Sequence, residues 1–182
     1  TLQDSSAASD VYKRQEKDIA KIVTSLKIHF DSVVNLVGGF LYKDLISSDI
    51  DDIKKMMDIN LYSVFNICKY SPKILASSSN KSIINMLTPY AENPVVGVCA
   101  YSSSKAALLN LSKSMAIEFE KYSIRVNSIM TDTIDTPVNR QEMPKANFSK
   151  WIKPIQIFNA IEMLIAKESK FINGEIIKLS NE

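Results

Sequence analysis

Residues 82–88, Ser82-Ile83-Ile84-Asn85-Met86-Leu87-Thr88, and residues 124–130, Ile124-Arg125-Val126-Asn127-Ser128-Ile129-Met130, decide the fold. Each run is short, apolar and rich in β-branched residues, the pattern of a strand buried on both faces of a sheet. Between them Ala106, Ala107, Leu108, Leu111, Met115 and Phe119 recur at helical spacing and predict a helix near residues 100–121. Strand, long helix and strand in succession mean a crossover between parallel neighbours.

Upstream, Ser32-Val33-Val34-Asn35-Leu36-Val37 predicts another strand, ending at Gly38-Gly39. Ile53, Met56, Met57, Leu61, Val64, Phe65 and Cys68 predict the helix after it, with Ser47, Ser48 and Asp49 as candidate N-caps and Asn60 on or beside the stripe. Earlier still, Ile19, Ile22, Val23, Leu26 and Phe30 predict a helix beginning at Glu16. Residues 1–15 are polar and aperiodic and read as a disordered or extraneous leader, leaving residues 16–182 as part of a single domain. Downstream, residues 131–151 read as irregular, followed by a helix near Pro154 to Lys167 and a last strand from Glu175 to Leu179. The series predicts an α/β fold: a doubly wound, mostly parallel sheet with right-handed crossovers and helices on both faces. Ligands in such sheets bind beyond the carboxyl ends of the strands, so Gly38, Thr88 and Thr131 are expected at one cleft.

Composition narrows the partner. The formal charge is +2, too small to draw nucleic acid or an anionic membrane, so a small-molecule substrate is expected. Cys68 and Cys99 form neither a disulfide framework nor a zinc cluster, so no metal is expected and a reducing, cytoplasmic setting is. No apolar run approaches the roughly 18 residues of a membrane helix. Only 4 glycines occur in 182 residues, and no GxGxxG or GxxxGxG string exists to cradle a phosphate.

Tyr101 and Lys105 lie four apart near the start of the third helix, hence on one face. An ammonium beside a phenol lowers the phenol's pKa and makes it a usable proton donor or acceptor. The same spacing also describes a solvated pair at a helix start. Thr88, at the end of the preceding strand, can donate to a carbonyl oxygen that gains charge, or simply cap the turn at Pro89. Asn60 by itself reads as a satisfied polar core residue.

Taken in order, these stretches resemble the short-chain dehydrogenase/reductase family. Tyr101-Ser-Ser-Ser-Lys105-Ala106-Ala107 resembles its YxxSK core, and Asn35-Leu36-Val37-Gly38 its NxAG segment with Val37 in place of alanine. Asn60, Ile124-Arg125-Val126-Asn127-Ser128 and Phe171-Ile172-Asn173-Gly174 match three further family segments. The resemblance implies a Rossmann-type sheet lacking its first βαβ units, and a hydride-transferring oxidoreductase that uses NAD or NADP. It implies Tyr101 as catalytic acid or base, Lys105 on the nicotinamide ribose, Asn60 in the proton relay and Thr88 in the position of the family serine. Asn35, Gly38, Thr131, Ile134 and Thr136 would join Tyr101 and Lys105 around the cofactor, while Asp132 replaces a family glycine and would restrict positive φ there.

The segment 133–151 resembles the corresponding loop of dihydropteridine reductase, which implies Arg140, Met143, Phe148 and Trp151 as a pocket for a flat ring; equally, Phe148 and Trp151 could pin the loop to the body. The family also implies a homodimer or homotetramer formed through the helices near residues 50–70 and 100–120, with Met56, Met57, Phe65 and Leu109 reaching into the contact. A non-catalytic remnant serving as a dimerisation or binding module is the competing reading.

Overall fold

The computed structural model describes residues 17–21, 25 and 30–181. The leader read at residues 1–15 lies outside them, as do Ile22, Val23 and Leu26 of the first helical stripe. Ile19 is helical, and Phe30 packs against the larger apolar core.

Four parallel strands lie in the order β1 (Ser32–Asn35), β2 (Lys81–Leu87), β3 (Ile124–Thr131) and β4 (Ile176–Leu179). β3 is buried along its whole length and β1 is only half-buried, as fits central and outer positions. β1 stops at Asn35, two residues before the apolar run does, and Leu36 and Val37 are exposed.

Between β1 and β2 run α1 (Ile50–Met57), a π turn (Asp58–Tyr62) and α2 (Ser63–Ile74). Asp49 is the N-cap: its carboxylate accepts from the Asp51 and Asp52 amides, and Asp52 accepts from the Asp49 amide, closing a capping box. α3 (Cys99–Glu118) joins β2 to β3, and α4 (Pro137–Glu142) and α5 (Pro154–Ile165) lie between β3 and β4. The segment read as irregular therefore holds a short helix, begun by Thr136, whose hydroxyl accepts from the Asn139 amide at 3.2 Å. Pro137 at the first helical position favours it.

Side-chain alternation divides the core. Ile83, Leu87, Val126 and Met130 face Val64, Cys68, Leu108 and Met115 of α2 and α3, whereas Ile84 and Ile129 face Ala160 and Leu164 of α5. Each buried aliphatic side chain supplies roughly 1.5–3 kcal/mol, so both layers are needed to hold the sheet. The arrangement also corrects the expectation of uniformly right-handed crossovers. Three connections step across the sheet in one direction, but the third lies on the opposite face, so its hand is opposite to that of the other two.

The third connection is held by polar stitching. Asn127 donates to Ile172 O at 2.9 Å and accepts from the Glu175 amide at 3.0 Å, while Asn173 accepts from the Val126 amide at 2.9 Å. The buried Arg125 donates to Leu164 O at 2.9 Å, capping the carboxyl end of α5.

Candidate active site

The register of the strands brings their carboxyl ends to one edge of the sheet, with Leu87 beside Met130. Thr88 and Thr131 follow those two residues and sit together on the rim, both buried. α3 starts above this rim and presents Tyr101 one turn before Lys105.

The Thr88 hydroxyl lies beside the Tyr101 phenol and also caps the turn at Pro89, accepting from the Tyr90 amide at 3.5 Å. Burial pushes the phenol above its usual pKa, and the Thr88 hydroxyl offsets part of that rise. The expected lowering by Lys105 is not found. Lys105 turns instead into the protein, where Nζ donates to Met86 O at 3.0 Å and burial pulls the ammonium down to about 8. Without a carboxylate beside it, desolvation dominates.

Asn60 occupies the π turn and is fully buried. Such turns aim a side chain that a regular helix would direct elsewhere. Its Oδ1 accepts from the Gly39 amide at 2.9 Å, and Nδ2 donates to Gly39 O and to Ser104 Oγ, each at 3.0 Å. Ser104 in turn donates to Tyr101 O at 2.7 Å. A β-carbon at Gly38 would lie 3.1 Å from Asn60 Oδ1 and 3.4 Å from Lys105 Nζ, so a bare glycine is what lets that loop close on both. Gly38, Asn60, Lys105, Tyr101 and Thr88 thus form one constellation.

Other expected residues are placed differently. Asn35 donates to Asn85 Oδ1 at 2.8 Å, and Asn85 donates to Ser112 Oγ at 2.8 Å, so Asn35 ties β1 to β2 and α3 rather than facing the cleft. Thr131 donates to Asp132 O at 3.1 Å; Asp132 is exposed, and its backbone avoids positive φ, which among the described non-glycine residues only Ser123 adopts. Ile134 accepts from Asn139 Nδ2 at 2.7 Å and pairs with Ile152, which places it and Thr136 on the segment leaving β3.

The four residues expected to line a ring pocket largely hold the loop to itself. Asp135 receives Arg140 in a fork, at 2.5 Å from Nε and 2.8 Å from Nη2, and also pairs with Lys153. Both cations hold its carboxyl far below the usual range. Arg140 lies 4.8 Å from the centre of the Phe148 ring, and Phe148 and Trp151 touch with centroids 4.7 Å apart and planes tilted by 51°. Trp151 is buried and Met143 is exposed on the loop. Here the guanidinium lies over the Phe148 ring and the two rings contact each other, as a loop pinned by its own side chains requires.

Sequence reasoning missed Asp135, Ser104, Phe40 and Tyr90. Phe40 meets the Tyr101 ring edge-on at 4.9 Å, and Tyr90 does so at 6.5 Å. Ser104 lies inside the YxxSK string, but its partner is 44 residues away.

An open parallel α/β sheet with a hydroxyl, a phenol and a buried lysine at its carboxyl edge defines the class of doubly wound α/β proteins, whose ligands bind beyond that edge. A family model described as Enoyl-(Acyl carrier protein) reductase matches residues 4–180. The chain belongs to the short-chain dehydrogenase/reductase family. It is 28% identical to a 2-dehydro-3-deoxy-D-gluconate 5-dehydrogenase of Formosa agariphila over 81% of this chain, and it spans 60% of the length of that relative. It is 28% identical to a dihydropteridine reductase of Dictyostelium discoideum, covering 95% of this chain and 76% of that one. A solved 4-hydroxyisoleucine dehydrogenase complexed with NADH is similar in structure, with a TM-score of 0.78 and 30% identity over 91% of this chain and 75% of that one. The relatives named are dehydrogenases or reductases.

Proposed function

We propose that this chain carries the catalytic half of an NAD- or NADP-dependent carbonyl reductase or alcohol dehydrogenase, with Tyr101 as the proton donor and acceptor. The observation that carries the reading is the constellation of half-buried Tyr101 with buried Thr88, Lys105 and Asn60, approached closely by Gly38. A nicotinamide dinucleotide supplies the hydride when bound. Gly38, Lys105, Thr131, Ile134 and Thr136 would hold its nicotinamide end. The fit there is good: Lys105 spends one N–H direction on Met86 O and has no carboxylate shown beside it, so donors remain for ribose hydroxyls.

Tyr101 keeps its proton at neutral pH because burial raises its pKa, which suits delivery to a carbonyl oxygen as the carbonyl carbon is reduced. Thr88 donates a hydrogen bond to the same oxygen as it gains charge. Asn60 and Ser104 hold the backbone of the Gly38 loop against the first turn of α3, which keeps Tyr101 and Lys105 in register. Self-association through the outer face of α2 and α3 belongs to the same reading. An open groove there is lined by Leu61, Tyr62, Phe65, Ala107 and Leu111.

Tyr101→Phe tests the assignment. With the chain in its native sequence context, NADH- or NADPH-driven reduction of a carbonyl panel should fall by about 10²–10⁴-fold while cofactor affinity is retained. Unchanged turnover removes Tyr101 from the role.

A further inference from the structure

The helix that carries Tyr101 starts without the usual device. Val98 is the N-cap residue of α3, no side chain there accepts a hydrogen bond from the first turn, and that turn holds no acidic residue. A 20-residue helix capped by an apolar side chain frays at that end unless something outside it holds the first turn. The loop after β1 does so. The Lys43 amide donates to Gly97 O at 2.6 Å, Lys43 forms a parallel bridge with Val98, and the Cys99 thiol reaches Lys43 O at 4.0 Å. Beside them the Tyr42 ring fills the space over Gly97, which has φ +84° and where a β-carbon would lie 2.6 Å from that ring.

The loop is itself anchored on both sides of Lys43. Upstream, Asn60 accepts from the Gly39 amide and donates to Gly39 O, and the Phe40 ring meets Tyr101 edge-on at 4.9 Å. Downstream, Asp44 turns the chain, its carboxylate accepting from the Ser47 amide at 2.8 Å and its carbonyl from the Ser48 amide at 3.0 Å. That turn brings the amino end of α1 back beside Lys43, whose ammonium donates to Asp52 Oδ2 at 2.6 Å, with Asp49 Oδ2 3.9 Å away.

Asp49 and Asp52 are held in turn by the capping box of α1, so Lys43 is tied to a fixed point. The Asp52 side chain is 20% exposed and that of Lys43 33%, so solvent screens this pair less than one on the open surface. The backbone of Lys43 thus grips the start of α3 while its side chain grips the start of α1. One residue joins the two helices.

We propose that Lys43 is a positioning residue for Tyr101: paired with Asp52, it sets where α3 starts and so where the phenol stands on the rim. Lys43 acts through Gly97 and Val98 and not on the reacting atoms. A displaced phenol misses the substrate oxygen in the transition state while the contacts that bind substrate are kept, so the loss falls on kcat rather than KM. This rests on the function proposed above for Tyr101, and the test separates the two.

Two readouts test it, with each variant checked for a retained fold by circular dichroism and thermal melting. In the native sequence context, Lys43→Met and Asp52→Asn, the latter keeping an oxygen for the Asp49 amide, should each lower kcat by about 5- to 30-fold and leave KM within about twofold. Lys43→Arg should recover most of the loss, and the double variant should be no worse than the worse single one, because both remove the same pair. In the 182-residue chain, hydrogen exchange at the Ser102 amide, which donates to Val98 O at 2.7 Å, should quicken about fivefold in Lys43→Met and stay slow in Lys43→Arg. A lower melting temperature with unchanged kcat, losses that add in the double variant, no recovery in Lys43→Arg, or unchanged exchange at Ser102 overturns the inference. Tyr101→Phe that keeps turnover sinks the proposed function instead, and the exchange at Ser102 then decides by itself whether Lys43 sets the start of α3.

Discussion

At the scale of single residues, burial rather than the Tyr–Lys pairing sets the direction in which Tyr101 and Lys105 are shifted. The four-residue spacing suggests an ammonium that sharpens a phenol, yet Lys105 reaches a backbone carbonyl and is itself pulled down to about 8, while Tyr101 is pushed up. A lysine with a lowered folded pKa binds fewer protons than in the unfolded chain between pH 8 and its ordinary 10.5, so stability should rise with pH across that window. Urea unfolding midpoints at pH 7.5 and 9.5 should show the rise, and Lys105→Met should flatten it. Ser123 presents a second residue-scale case. It holds φ 56° at the end of the turn before β3, a conformation that costs a non-glycine residue about 1 kcal/mol. Ser123→Gly should therefore raise stability by about 0.5–1 kcal/mol, readable as a higher melting temperature.

At the scale of elements, the connection from β3 to α5 is organised by Asp135. Its carboxylate gathers Arg140 and Lys153, its amide donates to Ile152 O at 2.8 Å, and the Ile152 amide donates to Thr133 O at 2.9 Å. Ile134 and Thr136 flank it, so the segment proposed to contact the nicotinamide end is held by this clasp. Asp135→Asn should loosen the loop. Limited trypsin digestion should then cut at the exposed Lys145 and Lys150 several-fold faster than in the unaltered protein, and reductase KM should rise more than kcat falls. Equal digestion rates would show that the contact between Phe148 and Trp151 suffices to hold the loop.

At the scale of the whole molecule, the outer face of α2 and α3 bears on assembly. Phe65 is 49% exposed and Tyr62 40% exposed there, whereas Met56, expected in the contact, is buried at 2% in the core, and Leu109 packs partly against the core. Phe65→Asp should lower the sedimentation coefficient to that of a monomer if this face pairs copies of the chain, and leave it unchanged if it does not. No glycine-rich string exists to cradle a pyrophosphate, so the 182-residue chain should bind NADH or NADPH weakly. Micromolar affinity by calorimetric titration would contradict that. Among the described residues no helix is long and apolar enough to cross a membrane.

The sequence by itself determined the alternation of strands and helices, because burial on both faces leaves an unbroken apolar run and burial on one leaves a periodic stripe. It also singled out Tyr101, Lys105 and Thr88 as the residues proposed to bear the chemistry, by type and order along the chain. Tertiary structure alone decided what those residues contact. Whether Lys105 meets a phenol or a carbonyl, whether Asn35 faces the cleft or Asn85, and whether Arg140 awaits a ligand or grips Asp135 all depend on partners many residues away. The hand of the last crossover lay out of reach for the same reason. A hydrophobic pattern states that a helix has a buried side, but which face of the sheet receives it is settled only when the layers pack.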